Sequence, residues 1–200
     1  AGQNNIIINQ PVGATGPTIL TFGAGPTPAS LRDQTRMTIN FSSTGSGTLG
    51  ASVTDPQIKY ATAPIINAGA AAAPSNMFAN TATGATVGWA TVNNTDWATY
   101  GANGVVARAN DLTTATTAGL QAGTVTQAVL FNPGAAPAAA TGNIASSVII
   151  FDPTAPALTL PMGAFTMAGI ALMHRGTNDF TISGTAGILV GSGGTRYIHV

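Results

Sequence analysis

The side chains that could carry acid–base chemistry are few in this chain and far apart. Glycoside hydrolysis needs two carboxyl groups held on either side of the scissile bond. The chain has no glutamate, and its six aspartates are isolated from one another: Asp33, Asp55, Asp96, Asp111, Asp152 and Asp179. His174 stands beside Arg175 and Gly176, which is typical of a solvated turn with Asp179 as an ion partner rather than of a general base. We therefore predict that the protein is not an enzyme.

Metal and cofactor patterns are also missing from the sequence. There is no cysteine to supply thiolate ligands or disulfides. The glycine-rich run at residues 191–194 leads into Thr195-Arg196, whereas a phosphate loop continues with Lys-Ser/Thr and a calcium-binding turn with Asp. The net charge is zero and the six cationic side chains are scattered, so nothing resembles the basic stripe that nucleic acid requires. We expect no metal, no cofactor and no nucleic-acid partner.

Three aromatic residues form the one cluster that suggests binding. Trp89, Trp97 and Tyr100 lie close together in a stretch that otherwise consists of small residues. Exposed aromatic rings can stack on sugars, so these three are the candidate binding residues, with surface polysaccharide as the candidate ligand. The alternative is that they are buried and anchor a segment made of Ala, Thr and Gly, and we favour this alternative.

Short hydrophobic runs typical of β-strands recur at a nearly constant spacing. They form the framework that must position the side chains discussed above. Ile149, Ile170 and Leu189 follow one another at steps of about 20 residues, and so do Leu158 and Phe180. The early runs place hydrophobic residues at a similar step: Leu20, Ile39 and Ile58. A fixed period of this length is typical of solenoids, in which each strand stacks on its equivalent one coil away. The pattern predicts parallel pairing of Ile149 with Ile170 and of Ile170 with Leu189, give or take two positions.

The expected fold is all-β: a right-handed parallel β-helix, or solenoid, with an excursion on its flank. Residues 1–66 and 126–200 are predicted to form coils, and residues 67–125, where the spacing is lost, to form a loop or flap that carries the aromatic cluster. Hydrophobic residues expected to face mostly inward are Ile150, Leu158, Leu160, Ile170, Ile182 and Leu189. The alternative fold is an antiparallel β-sandwich filament subunit that donates a terminal strand to its neighbour.

A longer sequence motif supports the β-helix through a resemblance to a protein family. The motif consists of Gly88-Trp89-Ala90, then Asp96-Trp97-Ala98-Thr99-Tyr100, then Asn103-Gly104-Val105. It resembles a motif of bacterial surface proteins with autotransporter-associated β-strand repeats. The Thr/Gly-rich runs of residues 145–200 are similar to the repeats of that family. The resemblance implies a β-helix displayed outside the cell, as part of a long passenger or surface chain.

Composition and the strand edges complete the expected function. Only 12 of 200 side chains are charged, against about a quarter in an ordinary domain. The strand-like runs at Asn5 to Asn9 and Tyr197 to Val200 offer unpaired edges, which we expect more of the same chain or a neighbouring copy to cover. No apolar run is long enough for a transmembrane helix. The sequence favours an extracellular or cell-surface structural protein that forms a rod, layer or fibre, with a carbohydrate-binding adhesin and a strand-donating filament subunit as alternatives.

Overall fold

β-Strands are the main regular structure in the part of the chain that the structure describes. A computed structural model describes residues 3–23, 38–62, 90–124, 127–146, 148–164, 167, 171–185 and 197–199. These residues contain fourteen strands and one short helix, so the all-β prediction is confirmed for this part of the chain. None of the described helical residues forms a segment long and apolar enough to cross a membrane.

The strands fall into two compact units, residues 1–82 with 88–108 (unit 1) and residues 83–87 with 109–200 (unit 2). The strands of unit 1 are β1 (Gln3–Gln10), β2 (Ile19–Phe22), β3 (Thr38–Gly45), β4 (Gln57–Tyr60), β5 (Ala90–Val92), β6 (Asp96–Gly101) and β7 (Gly104–Ala107). Those of unit 2 are β8 (Leu112–Thr114), β9 (Ala128–Phe131), β10 (Val148–Phe151), β11 (Leu158–Gly163), β12 (Ala171–His174), β13 (Phe180–Gly184) and β14 (Tyr197–His199). Helix α1 (Thr117–Ala122) lies between β8 and β9.

Unit 1 contains a five-stranded mixed sheet in the order β1-β3-β5-β6-β7 and a separate pair, β2-β4. Strands β1, β3 and β5 run parallel, and Asn4 pairs with Ile39. Leu20 pairs with Ile58 in the second sheet, also in parallel. The step of about 19 residues that separates Leu20, Ile39 and Ile58 in the sequence therefore does not correspond to strand pairing. Two interleaved series exist, because the chain visits a strand of each sheet in turn before it repeats.

Two tight turns reverse the chain at the other end of the mixed sheet. Asn93 and Asn94 have φ values of 54° and 59°, and the Thr95 N–H donates to the Val92 carbonyl at 3.1 Å. Positive φ at both central positions is the hairpin geometry that matches strand twist, and asparagine tolerates it better than most residues. These turns make β5-β6 and β6-β7 antiparallel. The other eight described strand pairs are parallel.

Unit 2 contains a parallel sheet in the order β14-β12-β10-β9-β8 and the parallel pair β11-β13. Ile149 pairs with Leu172, two positions from the predicted Ile170, so the predicted parallel pairing of this strand is confirmed. Ile170 and Leu189 themselves lie outside the described residues. The next described strand beyond β12 is β14, where Leu172 pairs with Ile198.

The loops of unit 2 contact one another at nearly the same sequence separation as its paired strands. The Ala140 N–H donates to the Pro161 carbonyl at 2.8 Å, and the Thr154 N–H donates to the Pro133 carbonyl at 2.9 Å. An isolated parallel bridge joins Ile144 to Met167. The sequence separation in each of these contacts is close to that of the paired strands.

The core of unit 2 lies between the inner faces of these strands. Leu120, Phe131, Ile149, Phe151 and Leu160 belong to one buried cluster, and α1 contributes to it through Leu120. Thr116 caps this helix, because its side chain accepts a hydrogen bond from the Gly119 N–H.

The residues predicted to face inward differ in burial and in the face of the strand on which they lie. Leu158 and Leu160 are buried, whereas Ile182 is half-buried against the cluster. Ile150 is also buried, yet it is not part of this cluster, because successive strand residues face opposite ways and its neighbours Ile149 and Phe151 face the cluster. The prediction that Ile150 faces this interior is therefore wrong.

The proposed loop or flap at residues 67–125 needs correction where it is described. Residues 90–107 form β5, β6 and β7, and β5 extends the parallel ladder of β1 and β3. Residues 112–122 form β8 and α1 within unit 2. The loss of the regular spacing misled the prediction, because hairpins continue a sheet without repeating its period.

Candidate functional site

The predicted aromatic cluster lies mainly inside unit 1. Trp97 on β6 is 1% exposed, and Tyr100 on the same strand is half-buried. Trp89 is outside the described residues. An indole that stacks on a sugar must present its face to solvent, so the position of Trp97 corresponds to the anchoring alternative. Binding of a ligand by these three residues stays a prediction.

Tyr100 makes a specific contact with the second sheet of unit 1. Its hydroxyl accepts a hydrogen bond from the Tyr60 backbone N–H at 3.0 Å. The two rings lie 5.9 Å apart, and Tyr60 stacks on Phe22 at 5.2 Å. Burial raises the pKa of the Tyr60 hydroxyl above its usual value, and the neighbouring Tyr100 raises it further. The Tyr60 hydroxyl therefore stays neutral even in mildly alkaline solution. The hydrogen bond and ring contact between Tyr60 and Tyr100 connect β4 to β6.

A row of polar side chains crosses the parallel part of the mixed sheet, and we call Asn5, Asn40 and Thr91 the asparagine row. These residues are in register on β1, β3 and β5. Asn40 Nδ2 donates to Asn5 Oδ1 at 3.2 Å, and Thr91 Oγ1 donates to Asn40 Oδ1 at 3.1 Å. Asn40 and Thr91 are buried, whereas Asn5 is exposed. The row therefore starts in the interior and ends at the solvent-facing strand β1.

Unit 2 has an apolar groove between β10, β12, β13 and β14, with a volume of about 440 Å³. The residues that line it are Phe151, Leu172, Met173, His174, Asp179, Phe180, Thr181, Ile182 and Ile198. Phe151 and Phe180 stack inside it, with ring centroids 5.1 Å apart. Its polar groups are His174, Asp179 and Thr181. A concave apolar surface with a few polar groups is the usual form of a small-molecule site.

Two ionisable side chains near this groove have defined hydrogen-bond partners. His174 Nε2 lies 2.8 Å from the Asn178 carbonyl oxygen, so it is a hydrogen-bond donor there. Asp179, the expected ion partner in this turn, lines the same groove as His174, and their pairing stays a prediction. Arg175 Nε donates to Asp152 Oδ2 at 2.8 Å, a partly exposed ion pair that joins the loops after β10 and β12. Among the described residues, no three His, Cys, Asp or Glu side chains lie together as a metal site would require.

The sequence analysis missed the asparagine row. The signal was present, since Asn5 and Asn40 each occupy the third position of a strand and lie 35 residues apart. The prediction rested on the shorter period of about 20 residues, which applies to unit 2.

Comparison of the chain with protein-family models, with curated proteins and with solved structures gave no match. The function is therefore inferred from the geometry. The described residues offer two groups of interest, the asparagine row that ends at β1 and the apolar groove of unit 2.

Proposed function

We propose that the protein is an extracellular or cell-surface structural protein built as a right-handed parallel β-solenoid, which forms a rod, layer or fibre without catalysis. One observation carries the proposal. In unit 2, side-chain hydrogen bonds between different loops and strands join positions separated by 17 to 25 in the sequence. Such a narrow range of offsets is what successive turns of one coil produce when each lies on the turn before it.

Several of these bonds share the same offset. Thr117 Oγ1 donates to the Ala138 carbonyl, and Gln121 Nε2 donates to the Gly142 carbonyl, each 21 residues later. Asn178 Nδ2 donates to the Pro153 carbonyl at 2.9 Å, 25 residues earlier. These bonds hold the corners of neighbouring turns together. They support a stack of equivalent layers rather than a sandwich of two antiparallel sheets.

Unit 1 supports the same architecture with a longer turn. Its chain alternates between two sheets, and the equivalent strands β1 and β3 begin 35 residues apart. The asparagine row stacks amide on amide along the direction in which the strands follow one another. Asparagine ladders of this kind add side-chain hydrogen bonds to a stacked backbone. Right-handedness rests on the strong preference of parallel strand connections for that hand.

A structural role also accounts for the chemistry of the ionisable groups. Parallel strands spaced about 4.8 Å apart make a stiff body whose stability grows with each added layer, and that needs no reactive side chain. Arg175 and Asp152 pair with each other across neighbouring loops, and His174 is held by a backbone carbonyl. The Arg175–Asp152 pair links neighbouring layers, whereas the His174 contact lies within one loop.

Deletion of one whole turn tests the architecture. Phe131 and Phe151 are equivalent positions on β9 and β10, so removal of residues 132–151 rejoins the chain in phase. We expect this variant to unfold cooperatively in urea with a lower m-value, because one layer is gone. Removal of residues 132–141 is the control, since half a turn puts all later strands out of phase and should abolish folding. Loss of folding in both variants would contradict the solenoid.

Electron microscopy of the full chain tests the assembly. Negative staining should show elongated particles, ordered layers or fibres. Uniform round particles at all concentrations would contradict a rod, layer or fibre.

A carbohydrate-binding adhesin is the second candidate, and the apolar groove is the observation that favours it. Phe180 is half-buried there, and the polar side chains of Asp179 and Thr181 lie beside it. An aromatic ring bordered by hydrogen-bonding groups is suited to a sugar. Binding of the chain to a glycan array, lost in the Phe180→Ala variant and kept in Tyr100→Ala, would favour this function. Loss in Tyr100→Ala alone would instead implicate the aromatic cluster.

A further inference from the structure

Strand β1 offers an edge that suits another β-strand. It is the outermost strand of its sheet among the described residues, with β3 as its one partner. Its sequence, Gln-Asn-Asn-Ile-Ile-Ile-Asn-Gln, includes no charge and no proline. Natural edge strands usually carry charged residues or proline, because these discourage pairing with another strand. Ile7 at its centre is 60% exposed.

The backbone of β1 divides its hydrogen-bonding groups between two sides. The Gln10 carbonyl accepts from the Ser46 N–H, which follows β3, so Gln10 directs its backbone groups towards β3. Because backbone groups of successive strand residues point to opposite sides, the residues at even positions bond to β3. Asn5, Ile7 and Asn9 therefore direct their N–H and C=O groups to the outer edge. The same three side chains are exposed.

The sequence of β1 is symmetric about Ile7. Read in either direction from that residue, the order is isoleucine and then asparagine: Asn5-Ile6-Ile7-Ile8-Asn9. An antiparallel pair of identical strands centred on Ile7 would therefore place like residues opposite each other. Ile7 would face its own copy, and Asn5 would face Asn9 of the second copy.

We propose that β1 is a homodimer interface, in which two copies of the chain pair their β1 strands antiparallel about a two-fold axis through Ile7. The axis stands perpendicular to the sheet, so the outer faces of both copies stay on the same side and the sheets become continuous. Ile7, Asn5 and Asn9 all have outward backbone groups, which gives about six backbone hydrogen bonds across the axis. The exposed Ile7 side chain is covered by its equivalent.

The amide side chains fit this arrangement. Asn5 Oδ1 accepts from Asn40, and Asn9 Oδ1 accepts from Thr44 Oγ1, so each amide uses its oxygen within its own copy. An amide oxygen has two lone pairs, and each Nδ2 has two hydrogens to donate. Asn5 and Asn9 of opposite copies can therefore bond to each other, and the asparagine row continues from one molecule into the next.

Single cysteines can map the register, since the chain has none of its own. In the full-length protein, Ile7→Cys should form a disulfide-linked dimer under mild oxidation, because directly opposed strand residues lie within disulfide reach. Asn5→Cys should not cross-link to itself, whereas an equal mixture of Asn5→Cys and Asn9→Cys should. Cross-linking of Asn5→Cys as efficient as that of Ile7→Cys would reveal parallel, in-register stacking and overturn the proposal.

Charge gives an independent test by sedimentation. Ile7→Lys should weaken dimerisation at least tenfold, because two ammonium groups then meet on the axis, and a mixture of Ile7→Lys with Ile7→Asp should restore it. Val53→Lys is the control, since Val53 is also exposed in unit 1 but lies outside β1. Circular dichroism confirms that the variants are folded. A wild-type monomer at tens of micromolar would overturn the dimer, whereas the deletion of residues 132–151 tests the solenoid separately.

Discussion

Leu160 on β11 lies directly opposite Ile182 on β13, and the two differ in burial. Leu160 is fully buried between the sheets of unit 2, whereas Ile182 is half-buried and borders the apolar groove. Two directly paired residues of neighbouring strands thus have different surroundings: Leu160 lies in the core and Ile182 at the groove.

This difference predicts unequal costs of truncation. Leu160→Ala should lower the free energy of unfolding by about 2–5 kcal/mol, because the closely packed core around it cannot collapse to fill the cavity. Ile182→Ala should cost clearly less. Urea denaturation of both variants measures the two values, and equal losses would mean that the groove is closed in solution.

The asparagine row should contribute most at its centre. Asn40 Oδ1 accepts from Thr91 Oγ1 and from the Asn94 N–H at 2.8 Å. In Asn40→Ala the buried Thr91 hydroxyl loses this partner, so we expect a loss of about 2–3 kcal/mol in unfolding free energy. Asn4→Ala is the matched control, since Asn4 is an exposed asparagine of β1 outside the row, and it should cost less than about 1 kcal/mol. A smaller loss for Asn40→Ala than for Asn4→Ala would be inconsistent with the row.

Tyr60 should make the protein less stable in alkali. Its pKa is raised in the folded state, so below about pH 10 the hydroxyl is neutral in both states and its contribution to stability is fully present. Above that pH the unfolded chain loses the proton first, and the free energy of unfolding should fall by up to about 1.4 kcal/mol per pH unit. Urea titrations between about pH 9 and pH 12 measure this slope. The slope should be shallower in Tyr60→Phe, and an unchanged slope would assign the effect to other groups.

Gly104 should tolerate no side chain. It has φ of +94°, and a Cβ there would meet the Ile58 carbonyl oxygen well inside van der Waals distance. Gly104→Ala therefore combines backbone strain with a clash between β7 and β4, and should cost about 3 kcal/mol or more. Gly13 has a similar φ of +83° and open space around it, so Gly13→Ala isolates the strain, at about 1 kcal/mol. Thermal unfolding compares them, and equal effects would show that the close approach is relieved by small shifts.

Hydrophobic spacing predicted much of unit 2 because its strands repeat at a regular interval. Leu158 and Phe180, matched by spacing alone, are partners in the structure. The face of Ile150 could not be predicted in the same way, since all four residues of β10 are buried and an unbroken apolar run does not indicate which face meets the core.

In unit 1 the spacing was misleading for a physical reason. Its strands alternate between two sheets, so runs that follow each other in the sequence are not partners, and each run pairs with the next but one. The candidate binding residues were chosen for their chemistry, but burial depends on packing, and the sequence around Trp97 contains small residues that are compatible with either position. The asparagine row needed the correct register before its members could be matched.

The unequal strand separations of the two units imply an order of folding. In unit 2, Val148 of β10 meets Ala128 on the strand immediately before it, whereas in unit 1 Ala90 of β5 must find Ile39 of β3 across a segment more than twice as long. A longer loop costs more entropy to close, and distant contacts form more slowly. We expect amides of unit 2 to become protected from hydrogen exchange first during refolding, so that the later half of the chain orders before the earlier half, opposite to the direction of synthesis.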